Sequence, residues 1–520
     1  MNELRRQGLE VHTATAAFRA GNVNVGAGDW IIRADQPYRT LAEMYFSVQN
    51  FSPDNPRPYD DTGWTFPLMR NVVITPITEK SVLDQRMAMV TSDARARGGV
   101  TGTGNVIVVD HTTDNNLVTF RYRFPNVRMH AAEQDFEANG HRFRAGAFII
   151  PDANRAQVEP ALTELGLSGF AMSTAPAVPT HEMDLPRIGY VHAWQRTQDE
   201  GWVRAAFDTY GIPYDYFADQ KLREGNLRAK YDVIVYPHVG GDAQSMVNGI
   251  AMTGTMPLPY GKTDATPNLG AQDESDDIRG GMGIEGLMEL YEFVKAGGTL
   301  LVEGATSTIF PEYNLTSGVT VEEPEDLFVR GSILRGIIAD PASPIAYGYA
   351  GNQLPVYFNS APVLNAGGPG GSGFGGRGDG PGQNTTPMAN RLRLSQWDST
   401  TTTGQGRANQ SGQGGQGGFG GRGGFGGGDP SERPRVVLRF PDDADDMLLS
   451  GTMLNGESLE SRAQVVDVPL GEGHVVMFGI RPFWRWQTQG TYFLGFNALL
   501  NWNDLGAGRA IATDRATSGS

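Results

Sequence analysis

The chain has 520 residues, enough for two or three domains that each bury a core. Its 42 basic and 58 acidic residues leave a formal charge of −16, which argues against binding to nucleic-acid phosphates, and the absence of cysteine removes disulfides, thiolate metal ligands and cysteine nucleophiles together. No apolar run nears the ~20 residues of a membrane helix, and the opening MNELRRQGLEVH has no apolar core of the kind a signal peptide carries.

An internal repeat comes first. Residues 18–32 read FRAGNVNVGAGDWII and residues 136–150 read FEANGHRFRAGAFII, a constant offset of 118 (136 − 18, and 146 − 28 for Gly28 and Gly146). Trp30, Ile31 and Ile32 meet Phe148, Ile149 and Ile150, and each run predicts a strand entered through a glycine turn. Helical spacing follows each: Leu41, Met44, Tyr45 and Val48 in one, Val158, Leu162 and Leu165 in the other. The second copy is preceded by a buried-strand pattern at 104–111 (GNVIVVDH) and a helix at 115–122. Only MNELRRQG precedes the first, and it reads as the end of such a helix, so the expectation is a chain that opens inside a structural unit, as a fragment does. Residues 1–172 are thus read as repeated β-α units, and 173–186 (STAPAVPTHEMDLP) as a linker.

From 187 to 508 strands alternate with helices, the pattern of a doubly wound parallel sheet. Strands are predicted at 187–194, 231–238 and 299–302, with helices on Trp202, Ala206 and Tyr210 and on Leu287, Leu290, Tyr291 and Val294. Residues 239–283 read as an irregular insert. Later strands fall at 435–440 and 474–480, before a last helix near 492–501. The Gly-rich insertion 367–429 holds too little apolar surface to fold and as a coil spans roughly 45 Å; 509–520 is a tail. Its FGGRGG repeats imitate RNA-binding segments, but they sit among aspartates in an acidic chain, so a surface insertion is the reading.

Four segments resemble the C-terminal region of bacterial carboxypeptidase A-like zinc metallopeptidase proteins: 35–72 (DQPYRTLAEMYFSVQN and RPYDDTGWTFPLMRNV), 276–304 (DDIRGGMGIEGLMELYEFVKAGGTLLVEG), 347–364 (YGYAGNQLPVYFNSAPVL) and 471–502 (GEGHVVMFGIRPFWRWQTQGTYFLGFNALLNW). The resemblance implies an exported parent protein, secreted or periplasmic, that hydrolyses peptides. Its N-terminal domain would bind zinc through His-x-x-Glu and a later His, and would be followed by a domain similar to class I glutamine amidotransferases. That zinc domain, the implied partner, would precede Met1; no zinc ligand, and so no cofactor, transfers to this chain. With no cysteine, the amidotransferase-like part is expected to be non-catalytic.

Residue by residue, the candidates for chemistry are these. His130 and Glu133 match His-x-x-Glu, with His238 as a third ligand if the first two share a helix face. The repeat, however, aligns His130 with His12 and Glu133 with Thr15, so a surface position before the strand is the expectation. The turn after 299–302 reads Glu303-Gly304-Ala305-Thr306-Ser307. A Ser or Thr nucleophile there needs a base, and the only downstream histidine, His474, falls in a predicted strand, so Thr306 and Ser307 are expected to serve the turn. Glu303, at a strand end, can face a ligand cleft. Two acidic groups, Asp273, Glu274, Asp276 and Asp277, and Asp442, Asp443, Asp445 and Asp446, have the oxygens calcium prefers but not EF-hand spacing, and read as solvated loops. Arg481, Trp484, Arg485 and Trp486 lie just beyond a strand, where open α/β sheets bind ligands. They are candidates to hold a peptide carboxylate, a glycan or the neighbouring domain. An independent hydrolase with a rebuilt site, or a peptide- or glycan-binding module, are the competing readings.

Overall fold

Runs such as VIVY (Val233–Tyr236) and TLLVE (Thr299–Glu303) are buried along their whole length, as strands covered on both faces must be. They belong to five parallel strands in the spatial order Asp215–Ala218, Ile188–His192, Val233–Tyr236, Thr299–Glu303, Gly473–Phe478. Alternate side chains serve opposite faces. Tyr190, Val233, Val235, Leu301 and Val476 pack with helices Gln198–Tyr210 and Tyr492–Leu500. Val191, Ile234, Leu300, Val302 and Val475 pack with helix Gly283–Lys295. Helix Gln198–Tyr210 opens on Asp199 and Glu200 and stops at Gly211, whose φ of 71° suits a glycine C-cap. This computed structural model describes residues 1–52, 54–366 and 432–509; the Gly-rich insertion at 367–429 and residues 510–520 of the tail lie outside them. Among the described residues no helix is long and apolar enough to cross a membrane.

The chain is α/β, and the sheet is parallel-rich and mixed: the parallel half that the alternation suggested is extended by an antiparallel half. Beyond Gly473–Phe478 it continues antiparallel through Ala463–Leu470, Arg435–Arg439, Ser332–Ile338 and Gln353–Phe358. The cause is local. Leu470 pairs with Gly473, leaving only Gly471, at φ 63°, and Glu472 to make the turn. Two residues can only return the chain antiparallel; a parallel neighbour needs a crossover of about a dozen residues or more.

Residues 1–183 contain two strand–hairpin–strand units. Val11–Ala14 pairs antiparallel with Trp30–Ile32, and between them Phe18–Ala20 folds back on Val23–Val25. His130–Ala132 pairs with Phe148–Ile150, around the hairpin of Phe136–Ala138 and His141–Phe143. His12 faces Ile31, and His130 faces Ile149. Helix Asn2–Arg6 precedes the first unit and Asn116–Arg123 the second. The second unit lies in a six-stranded sheet.

That sheet extends into 173–186, the stretch read from the sequence as a linker. Thr180–Glu182 is its edge strand, paired with His130–Ala132, and His181 is buried. Carbonyl Met183 O accepts two bonds from the Arg121 guanidinium. No break in the core occurs there either: Phe148, Leu162 and Met183 share one cluster with Leu301, Phe478 and Leu499. Polar contacts reinforce the joint. Asn497 Nδ2 donates to Ile345 O and Tyr347 O, which turns its Oδ1 toward His111 Nε2 at 3.0 Å. One turn later, Asn501 Oδ1 meets His181 Nε2 at 2.8 Å.

Candidate functional site

The parallel strands end together, and the segments leaving them bring Asp199, His238, Glu303 and Arg481 into one mostly buried cluster. Strand Thr299–Glu303 turns into a short 3-10 helix at Gly304–Thr308. The apex is Gly304, at φ 57°, a conformation that costs an L-residue strain. A Cβ on Gly304 would fall inside contact distance of His238 Nδ1, so the apex has room for no side chain.

Thr306 and Ser307 build this turn. The Thr306 hydroxyl accepts from Glu303 N at 3.1 Å and lies 2.9 Å from the carbonyls of Tyr236 and Glu303, while the Glu303 carboxylate caps the helix in return. Ser307 Oγ donates to Gly304 O at 2.6 Å. Both hydroxyls are buried. His474 sits at the opposite end of its strand, opposite Thr299, with Nδ1 2.6 Å from Asp467. Among the described residues no imidazole is hydrogen-bonded to Ser307, whose hydroxyl is taken by Gly304 O.

Charge accounting explains the protonation of the cluster. His238 Nδ1 accepts from Ala305 N at 2.8 Å, so the neutral ring carries its proton on Nε2. Burial, with help from the Arg481 charge, lowers its pKa to about 3. Arg481 pairs with Asp199 at 3.2 Å. Burial raises Asp199 to about 6, against the pull of Arg481. Burial, then the nearby Asp199 charge, raises Glu303 to about 8, and among the described residues its Oε2 has no hydrogen-bond partner. Arg481 is paired with Asp199 and Arg485 with Asp60 and Asp61, so burial keeps the Glu303 carboxyl well above the usual carboxylate range.

The other predicted ligand residues form a joint with the N-terminal region. Trp484 stacks on Tyr357 (centroids 4.8 Å apart, 16° between planes) and donates Nε1–H to Asp61 at 2.8 Å. Arg481 and Arg485 lie 5.0 and 4.9 Å from its ring centre. Arg485 reaches Asp60 at 2.8 Å and Asp61 at 3.3 Å, and Tyr357 donates to Asp61 at 2.9 Å. Trp486 stacks on Tyr210. Arg485 and Trp486 adopt φ of 47° and 60°, a strained pair that these contacts hold in place. Asp60 and Asp61 were not among the sequence candidates. Their motif, DDTGW, lies in a resembling segment, but no spacing links it to residues more than 400 positions later.

The metal patterns are not assembled. His130 lies in a strand, so it shares no helix face with Glu133. Glu133 instead meets His181 Nδ1 at 3.3 Å, and His238 is held at the turn after Thr299–Glu303. Among the described residues no group of three His, Cys, Asp or Glu is close enough to hold a metal ion. Of the acidic runs, Asp273 is taken by Lys221, His192 and Ala218 N, Asp277 by Arg279, and Asp442 by Arg439 and Ser461.

No family model and no curated protein matches the chain. Among solved structures, a cytoplasmic protein from Salmonella typhimurium is 12% identical at a TM-score of 0.28, over 60% of this chain and 97% of the other. A β-galactosidase from Bacillus circulans sp. alkalophilus is 9% identical at a TM-score of 0.27, over 61% of this chain and 30% of the other. A GH42 β-galactosidase catalytic mutant from G. stearothermophilus is 11% identical at a TM-score of 0.28, over 67% and 33%. Overlaps this loose carry no conclusion on fold or activity.

Proposed function

We propose that the chain is a non-catalytic accessory region that works beside a zinc carboxypeptidase-like domain in an exported peptidase. On this reading the two N-terminal units are copies of one β-α element. The parallel half is an amidotransferase-like sheet whose nucleophile position has closed. Zinc would belong to the peptidase domain. The observation that carries the reading is Gly304: a nucleophile needs a side chain at the strand-to-helix apex, and His238 fills that space. The hydroxyls beside it are bonded to the turn itself.

The test has two parts. The purified chain, supplied with zinc, should release no C-terminal residue from peptides and no ammonia from glutamine, and should retain no stoichiometric zinc in elemental analysis. Reading the transcript upstream of the Met1 codon should reveal an in-frame His-x-x-Glu with a later His. Zinc-dependent turnover by the chain alone would overturn the accessory role.

A second reading, an independent hydrolase on the same sheet, has one observation in its favour. Glu303 is a buried, protonated acid with a free oxygen beside Asp199. Turnover lost on Glu303→Gln would select it. A peptide- or glycan-binding module through Arg481, Trp484, Arg485 and Trp486 has less support, because Asp60, Asp61 and Asp199 already neutralise both guanidinium groups.

A further inference from the structure

Three donors of three kinds converge on one carboxylate, that of Asp61. Its Oδ1 accepts from the Tyr357 hydroxyl at 2.9 Å; its Oδ2 accepts from the Trp484 indole N–H at 2.8 Å and lies 3.3 Å from the Arg485 guanidinium. All three donors belong to the α/β half, and contacts within that half position them. The Trp484 ring stacks on Tyr357, and Arg481, itself paired with Asp199, packs on the Trp484 ring. Arg485 reaches the carboxylate from a backbone at φ 47°, strain of the kind concentrated at ligand clamps. Gly331, at φ 49°, completes the seat, because a Cβ there would collide with Asp61 Oδ1.

The segment that delivers Asp61 is held far more loosely than the seat. Residues 54–61 form no helix or strand, and most are exposed, Tyr59 at 94%. Apart from the Asp60 and Asp61 contacts, its ties are Arg57 over the Phe328 ring at 5.3 Å and the Arg330 guanidinium on Tyr59 O. Firm anchoring resumes at Thr62 and Gly63, whose N–H groups donate to Gly331 O. A segment with so few buried contacts opens at low cost. The seat, in contrast, lies just beyond strand Gly473–Phe478, at the carboxyl end of the sheet, where open α/β folds take ligands.

We propose that Tyr357, Trp484 and Arg485 form a carboxylate-binding site, and that Asp61 is its intrachain ligand, a latch that a small outside carboxylate displaces. The occupant on the page defines the chemistry: one carboxylate, held by a guanidinium, an indole N–H and a phenol O–H. A rigid seat and a loosely tied ligand separate this arrangement from a permanent ion pair, in which both partners are fixed by their own surroundings. The inference is independent of the peptidase reading, and neither zinc nor turnover enters its test.

The test uses the full chain with isotope-labelled tryptophan and two probes, formate and acetate. In Asp61→Ala, formate, which restores the atoms the substitution removes, should shift the Trp484 indole resonance saturably, while chloride at equal ionic strength should not. Loss of a resonance in Trp484→Phe identifies the one to follow. Adding Arg485→Gln to Asp61→Ala should raise the half-saturating formate concentration about tenfold. If Asp61→Ala does not fold, Asp61→Gly titrated with acetate gives the same reading. In the wild-type chain, excess formate should compete with Asp61 and speed chymotryptic cleavage after Tyr59 about threefold or more. Cleavage of Asp61→Ala should be fast and indifferent to formate. No saturable shift in the Asp61 variants, or an equal shift with Arg485→Gln, would overturn the site. Wild-type cleavage that ignores formate would overturn the latch and make Asp61 a permanent structural partner.

Discussion

Two strand–hairpin–strand units of this chain pair in similar register and have different surroundings. Phe148–Ile150 lies between two strands inside a core common to the α/β half. Trp30–Ile32 lies at an edge beside a small cluster of Leu4, Leu9, Val11 and Ala42. Local pattern makes the strand; removal from water makes it stable. The second unit shares one large apolar core with the α/β half, whereas the first region meets it through a small apolar cluster of Leu68 and Met69 with Ile333 and Leu449 and through polar contacts that include the clamp of Asp60 and Asp61 on Trp484 and Arg485.

The sharpest way to break this comparison is to cut both units at the matched aromatic position. Phe148→Ala should destabilise the protein by about 3–5 kcal/mol and Trp30→Ala by roughly 1 kcal/mol or less, as read by urea denaturation. Equal losses would mean that the first unit is as deeply packed as the second.

The next contrast uses pH. The Glu303 pKa, raised by burial to about 8, means that the folded state holds a proton the unfolded state releases. Its contribution is present at low pH and lost as pH rises toward 8. His111 and His238, lowered by burial to about 4 and about 3, act oppositely: they favour the fold increasingly up to about 6.5, where an unfolded histidine has titrated. Above that pH the acid dominates, and stability should fall by on the order of 2 kcal/mol between about pH 6.5 and 8. Glu303→Gln should flatten the slope. The second unit shares the core with Leu301 and should follow this pH dependence in hydrogen exchange; the first should not. A pH-independent midpoint would remove the buried-acid account.

The matched turn glycines sharpen the comparison further. Gly28 and Gly146 have φ of 92° and 85°. A Cβ on Gly28 meets nothing within 4 Å, but on Gly146 it falls 2.6 Å from Tyr347 Cβ and 2.7 Å from His111 Cδ2. Gly28→Ala should cost about 1 kcal/mol of backbone strain, and Gly146→Ala at least 1 kcal/mol more from the clash. The last contrast is at the clamp. Asp61→Ala should lower global stability by about 1–2 kcal/mol, from unpaired Trp484 and Tyr357 donors, and speed limited proteolysis in residues 50–65 while sparing the second unit. Unchanged cleavage would mean that other contacts hold the first region.

Much of the α/β framework is legible in the chain. The runs at Val233–Tyr236 and Thr299–Glu303 are strands because β-branched and aliphatic residues follow one another without a polar interruption. Helix Gly283–Lys295 is legible from Leu287, Leu290 and Val294 and the glycines after it. Glu303 could be placed at a strand end in the same way. The clamp could not, because Asp61 and Trp484 are separated by 423 positions and share no pattern. Thr180–Glu182 escaped notice because three residues between prolines carry no periodicity, and its pairing with His130–Ala132 supplies the order. HAAE suggested a helix face because four letters fit a helix or a strand equally well.

By itself the sequence determined the local states: which runs extend, which coil, where glycine turns the chain, and that no cysteine can act. Those follow from steric and solvation preferences within a few residues. Only the tertiary structure decided that Phe148 is buried and Trp30 partly exposed, that burial raises the Glu303 carboxyl, that the apex at Gly304 is closed by His238, and that Trp484 and Arg485 hold the chain's own aspartates. Burial and ion pairing are properties of neighbours, and here those neighbours come from distant parts of the chain.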